Sequence, residues 1–175
     1  MKRHNVLPRN TREVEMKTLL VTGGSRGIGR AVALMAASRG WNVAINYVGN
    51  HEAAEETITA VHALGVKAIA LAGDVSKEAD VVSMFKKTKD EFGGIDGVVI
   101  NAGIIAQSMP LADMDGDRLK RMFEVNTLGA YLCAREAARM LPISKGGNGG
   151  AIVVMSSMAA KLGSPFNFVD YAGSR

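Results

Sequence analysis

The stretch "KTLLVTGGSRGIGRAVALMAASRG", residues 17–40, carries the reading of the fold. Its short apolar run "KTLLVTG" reads as a strand that leads into a glycine-rich turn. The apolar residues that follow, Ile28, Val32, Met35 and Ala36, recur at helical spacing until Gly40 stops the pattern. They are expected to lie on a helix. Between strand and helix stand Gly23, Gly27 and Gly29. Glycines at such a junction let backbone N–H groups approach a phosphate without side chains in the way, and the helix dipole favours an anion there. The spacing is G-x3-G-x-G rather than G-x-G-x-x-G, and the Gly-Lys-Ser/Thr of a triphosphate P-loop is missing. The plain alternative is a tight strand-to-helix turn with no ligand.

The same alternation continues along the chain. "WNVAINY" reads as a strand, "HEAAEETITAVHALG" as a helix, "VKAIALAGDVS" as a strand with its turn, and "EADVVSMFKKTKDEFG" as a helix. "GIDGVVINAG" is a fully buried strand by its pattern, "GDRLKRMFEVNTLGAYLCAREAARML" one long helix, "KGGNGG" a flexible stop, and "AIVVMSS" a fifth strand. Strands alternating with helical stretches indicate βαβ units around a parallel sheet, an α/β, Rossmann-like doubly wound fold. No internal repeat stands out beyond that alternation, and no second domain. The expected division is a disordered N-terminal extension over residues 1–16 and a dinucleotide-binding domain over residues 17–175.

Composition bounds the function. With 175 residues, 47% hydrophobic and 22% charged, the chain matches an ordinary globular protein with a sizeable core. No apolar run approaches the roughly 20 residues of a membrane span, so no membrane partner is expected. Cys133 is the single cysteine, which excludes an intramolecular disulfide and suits a reducing compartment, with the cytoplasm as default. Half of the +4 net charge sits in the first 15 residues, where Lys2, Arg3, Arg9 and Arg12 face Glu13 and Glu15. That segment lacks the apolar core of a signal peptide. No basic stripe with interleaved aromatics accompanies it, so nucleic acid is not an expected partner. His4, His51 and His62 share no metal spacing with Cys133 or the carboxylates, and no metal site is indicated. Cys133 reads as a packed thiol between Leu132 and Ala134.

"TGGSRGIG" at residues 22–29, "NAG" at Asn101 to Gly103, "VN" ending in Asn126, "SS" at Ser156 and Ser157, and Tyr171 occur in one order. As a set they resemble the short-chain dehydrogenase/reductase family, over all of the chain from about Lys17. The stretch around Tyr171 looks most like bacterial glucose 1-dehydrogenases and less closely like 3-oxoacyl-carrier-protein reductases. The resemblance implies an oxidoreductase moving a hydride between a nicotinamide cofactor and a small carbonyl or alcohol substrate, and a homo-oligomer in the full-length form. Family members continue well past the tyrosine helix. The alternative expectation is therefore a truncated, catalytically inactive fragment that at most binds dinucleotide.

The resemblance also implies roles. Tyr171 would handle the substrate proton. An unperturbed tyrosine has a pKa near 10, so it needs a cation close by, and a helical residue four positions on can supply one. In the family that residue is lysine; here it is Arg175. Ser157 would hydrogen-bond the substrate oxygen, with Ser156 the competing choice. Ser157 stands 14 residues before Tyr171, one more than the family spacing, and the loop "GSPFNFVD" can absorb the insertion. Asn126 would bend the long helix and support a proton-relay water, against the alternative of a surface asparagine. Ser25, Arg26, Ile28 and the three glycines would form the phosphate loop. Asn101, Ala102 and Gly103 would line the adenosine side, and Asp74 and Val75 would meet the adenine, unless Asp74 only turns the chain.

Cofactor choice depends on the end of the second strand. NAD enzymes place an acid there for the ribose 2′-hydroxyl. This chain has Asn46 and Tyr47, and the first acid, Glu52, is already inside the next helix. Arg26 can meet a 2′-phosphate, since a guanidinium fork suits its oxygens. NADP is the expected cofactor and NAD the lesser choice; Arg26 as a solvated loop charge is the alternative.

Overall fold

The computed structural model describes residues 16–175. The expected N-terminal extension, apart from Met16, lies outside the described residues. Five strands form one parallel sheet: β1 (Thr18–Val21), β2 (Asn42–Tyr47), β3 (Ala68–Ala72), β4 (Gly97–Ile100) and β5 (Ala151–Val154), in the order β3-β2-β1-β4-β5. Each appears where the apolar runs predicted it. Helices α1 (Gly27–Ser38), α2 (His51–His62) and α3 (Glu78–Phe92) supply the first crossovers. After β4 come α4 (Gly116–Phe123) and α5 (Gly129–Met140); after β5 come the short α6 (Met158–Leu162) and α7 (Val169–Ser174). Because β2 lies on one side of β1 and β4 on the other, the strand order reverses at β1. In doubly wound sheets the ligand crevice opens at such a point.

Parallel strands buried on both faces read as continuous apolar runs. Every residue of β1 and β4 is buried. One face packs Leu20, Ala44 and Val98 against Phe85 of α3 and Cys133 and Ala137 of α5. The other packs Val43 and Ile45 against Ala33 and Ala37 of α1 and Ile58 and Val61 of α2. At the strand ends opposite the crevice, Trp41 precedes β2 and carries the Lys17 ammonium 5.4 Å from its ring centroid.

The expected helix is α1, and its buried face is made by small residues. Val32 and Ala36 do pack inward, but Ile28 and Met35 are 61% and 57% exposed, and the buried positions are Gly29, Ala33 and Ala37. Small residues let this helix lie close to the sheet, so the large apolar residues fall to its flanks. The expected long helix after β4 is also interrupted. A π-helical turn at Glu124–Leu128 separates α4 from α5, and Asn126 sits inside it. Such turns insert one residue into a helix and recur at functional sites.

β5 differs from the other strands. It pairs with β4 in register Val98↔Ile152 and Val99↔Val153, yet all four of its residues are exposed.

Candidate active site

The glycine-rich loop between β1 and α1 is held by side chains from the neighbouring strand ends. Thr22 Oγ1 accepts from the backbone N–H groups of Asn101 and Ala102 at 2.9 and 3.0 Å. Asn101 Nδ2 donates to the carbonyls of Thr22 and Gly23, both at 3.1 Å. Asn46 closes the other side, donating to the Leu71 and Gly73 carbonyls at 3.2 and 2.7 Å and accepting from the Gly23 amide at 3.4 Å. Asn46 and Asn101 thus spend their amides on the scaffold.

Two glycines are required by this packing. Gly29 approaches the loop so closely that a Cβ there would lie 2.2 Å from the Gly23 carbonyl oxygen. Gly23 adopts φ +63°, and a Cβ on it would stand 3.0 Å from Ala102 Cα. The remaining loop is open: Arg26 and Gly27 are exposed, Arg26 precedes α1 without a side-chain cap, and no acid occupies the first turn. The amides at this helix N-terminus are therefore free to take an anion.

The loop forms one wall of a cleft of about 460 Å³. Gly23, Ser25, Arg26, Ile28, Asn46, Tyr47, Asp74, Val75, Asn101, Ala102 and Gly103 line it; Gly27 and Gly29 do not, and Gly29 supports the loop from beneath. The structure adds Val48, Asn50, Ile104, Val125 and Arg121. Arg121 was missed by sequence reasoning. It reaches from α4 to Asp74 Oδ2 at 2.7 Å and to the Ser76 hydroxyl at 2.8 Å, a contact with no local sequence signature. Burial pushes the Asp74 carboxyl up, but hydrogen bonds from Ser76 and the Arg121 guanidinium outweigh it and hold the group below the usual carboxylate range.

The second group of residues gathers around α7. Asn126 is buried: its Oδ1 accepts from the Ile104 amide at 2.8 Å, and its Nδ2 donates to the Ile104 carbonyl and the Ser174 hydroxyl, both at 2.9 Å. Thr127 adds a bond to the Ser174 carbonyl at 2.9 Å. The π-helical turn thereby ties the loop after β4 to the helix that carries Tyr171. Arg175 lies with its guanidinium carbon 5.8 Å from the Tyr171 ring centroid and donates from one terminal nitrogen to the Ala102 carbonyl at 3.3 Å. Its Nε is buried with no partner among the described residues. Ser156 donates its hydroxyl to the Arg175 carbonyl at 2.9 Å, whereas Ser157 accepts from the Ala159 amide at 3.2 Å as the cap of α6. Ser157 therefore keeps its O–H proton for another acceptor.

Asp170, beside Tyr171, is fully buried at its side chain and pairs with Arg118 Nε at 2.8 Å. Arg118 also donates to the Gln107 carbonyl at 2.7 Å, so one guanidinium joins α4, α7 and the loop after β4. Burial raises the Asp170 carboxyl, but the Arg118 guanidinium and the Tyr171 amide override it and leave the group below its ordinary range. The loop before α7 bends sharply, with Ser164 and Phe166 at φ 54° and 71°. This is the segment expected to absorb the extra residue between Ser157 and Tyr171.

Among the described residues no helix is long and apolar enough to cross a membrane. A glycine-rich strand-to-helix turn at the switch point of a parallel sheet, with the tyrosine helix docked on the neighbouring strand ends, defines a short-chain dehydrogenase. The chain belongs to that family: residues 17–175 match the short chain dehydrogenases. It is 43% identical to the uncharacterized oxidoreductase YgfF of Escherichia coli over 160 residues, covering 91% of this chain and 65% of that protein. It is 41% identical to the L-rhamnose 1-dehydrogenase (NAD(P)(+)) of Sphingomonas over 153 residues, 87% of this chain and 59% of that one. The structure of NAD+-bound xylitol dehydrogenase superposes with a TM-score of 0.83 at 33% identity, covering 90% of this chain and 59% of that one. The chain thus spans less than two thirds of the length of these relatives.

Proposed function

We propose that this chain is the dinucleotide-binding and proton-handling part of an oxidoreductase that moves a hydride between NADP(H) and a small carbonyl or alcohol. The observation that carries the reading is the uncapped N-terminus of α1 opening, beside Arg26, into a cleft lined also by Ala102 and Gly103, with Arg175 donating to the Ala102 carbonyl and lying over the Tyr171 ring. The open loop, free of acids, fits a pyrophosphate. The two-electron chemistry would come from the nicotinamide ring.

The chain's own residues divide the remaining work. Ser25 and the α1 amides would hold the pyrophosphate, and Asp74 and Val75 the adenine. Tyr171 would exchange a proton with the substrate oxygen at its phenol, with the Arg175 guanidinium beside its ring. Ser157 would donate its free O–H to the same oxygen. Asn126 would act through position, holding the Ile104 backbone and α7 in one frame. The substrate's identity does not enter this reading; rhamnose and xylitol belong to the relatives' names.

NADP is preferred over NAD because no acid stands at Asn46 or Tyr47 to repel a 2′-phosphate, while Arg26 lines the same cleft. The Tyr47 hydroxyl is already engaged with His51 Nδ1 at 2.8 Å. Fluorescence titration should give NADPH binding about tenfold tighter than NADH, consistent with a charge-assisted hydrogen bond. Tyr47→Asp should reverse the order. Equal affinities in the parent would remove the NADP assignment.

A further inference from the structure

Arg121 stands 47 residues from Asp74 in the chain, yet its two terminal nitrogens bridge Asp74 Oδ2 and the Ser76 hydroxyl at 2.7 and 2.8 Å. Ser76 in turn donates its backbone N–H and its hydroxyl to Asp74 Oδ1 at 3.0 and 2.8 Å. The Asp74 amide is itself anchored on the Asp80 carboxylate at 2.9 Å. Both carboxylate oxygens are thus fixed. Oδ2 accepts only the Arg121 bond among the described residues, so it keeps acceptor capacity. The next residue, Val75, donates no backbone hydrogen bond among the described residues, and it lines the cleft with Asp74 and Arg121.

This leaves a carboxylate acceptor beside an amide donor. The complementary edge is an exocyclic amine next to an unprotonated ring nitrogen, as in a 6-aminopurine. A 6-oxopurine presents the reverse, an oxygen next to a ring N–H. A carboxylate free to rotate or to take a proton would lose that distinction. We propose that Arg121 is a positioning residue for base selectivity: by fixing Asp74 as an acceptor beside the Val75 amide, it makes the cleft choose adenine over hypoxanthine. The proposal rests on the dinucleotide reading above and adds a residue to it.

The test compares NADPH with its deamino counterpart, in which hypoxanthine replaces adenine, by fluorescence titration of the 175-residue chain and of Arg121→Met and Arg121→Lys. The ratio of the two affinities is taken within each protein, so a partly unfolded variant does not distort it. The parent should favour the adenine form about tenfold, the scale of one hydrogen bond to a charged group. Arg121→Met should bring the ratio to within about twofold. Arg121→Lys should fall between, since an ammonium lacks the fork that spans Asp74 and Ser76. Equal binding of both dinucleotides by the parent, or an undiminished preference in Arg121→Met, overturns this proposal and leaves the dinucleotide reading standing. Binding of neither dinucleotide overturns that reading, and the proposal with it.

Discussion

Strands β4 and β5 have nearly the same composition, "GVVI" and "AIVV", and pair along their whole length. Their fates differ. Val98 is 1% exposed between α3 and α5, whereas Val153 is 49% exposed at the end of the sheet. An apolar run therefore specifies a strand, while its neighbours specify whether that strand is core. The same contrast divides the candidate site. The glycine-rich loop is bracketed by Thr22, Asn46 and Asn101 at the ends of buried strands; the Tyr171 helix follows the exposed β5 and is secured by polar contacts instead.

The largest expected effect concerns that polar anchoring. Arg118→Met strands the buried Asp170 charge, and breaking such a pair typically costs about 3–5 kcal/mol. Urea denaturation should show a loss of this order. A loss below about 1 kcal/mol would mean that α7 is held loosely, and would widen the contrast between the two halves.

Strand burial gives the next test. Val98→Ala should destabilise by roughly 2 kcal/mol, from two buried carbon groups and the space they leave. Val153→Ala should stay within about 0.5 kcal/mol. Equal losses would show that β5 is as well covered as β4 and end the comparison. Because exposed apolar edges pair with other chains, Ile152→Lys should also lower concentration-dependent association in sedimentation.

Acid should separate the halves further. Asp170 and Asp74 have folded pKa values below their ordinary ones, so the unfolded chain binds more protons as the pH drops. Their contribution is complete above about pH 4 and is lost as the pH falls through the folded values. Hydrogen exchange below pH 4 should therefore release α7 before β1 and β4. Simultaneous release would contradict this.

The smallest effect is chemical. Burial, assisted by the Glu136 charge, pushes the Cys133 thiol up to about 12. At pH 8 it should resist alkylation in the native chain and react once urea unfolds it. Rapid native labelling would show that α5 opens from the sheet.

What the sequence made legible follows the same division. The glycine loop and the strands were readable because their signals are local: turn chemistry at Gly23, and apolar runs of strand length. The buried face of α1 was not legible, because apolar spacing draws the eye to large residues such as Ile28 and Met35, whereas close helix-to-sheet approach selects Gly29, Ala33 and Ala37. Arg121 and Arg118 were invisible because each meets its partner across about 50 residues, and a charged residue near a helix end ordinarily reads as solvated surface. The side-chain work of Asn46 was hidden for the same reason, since its partners belong to the neighbouring strand and the loop.

Trp41 is the chain's single tryptophan, and it stands at the start of β2 while Tyr47 ends that strand at the cleft. Six strand residues place the indole about 20 Å from the cleft end. Indole emission overlaps the absorption of a reduced nicotinamide, so the unlabelled protein contains its own donor for resonance energy transfer. One emission spectrum would then register two events separately: quenching with a gain of dinucleotide light when the cleft fills, and a red shift without it when the sheet comes apart.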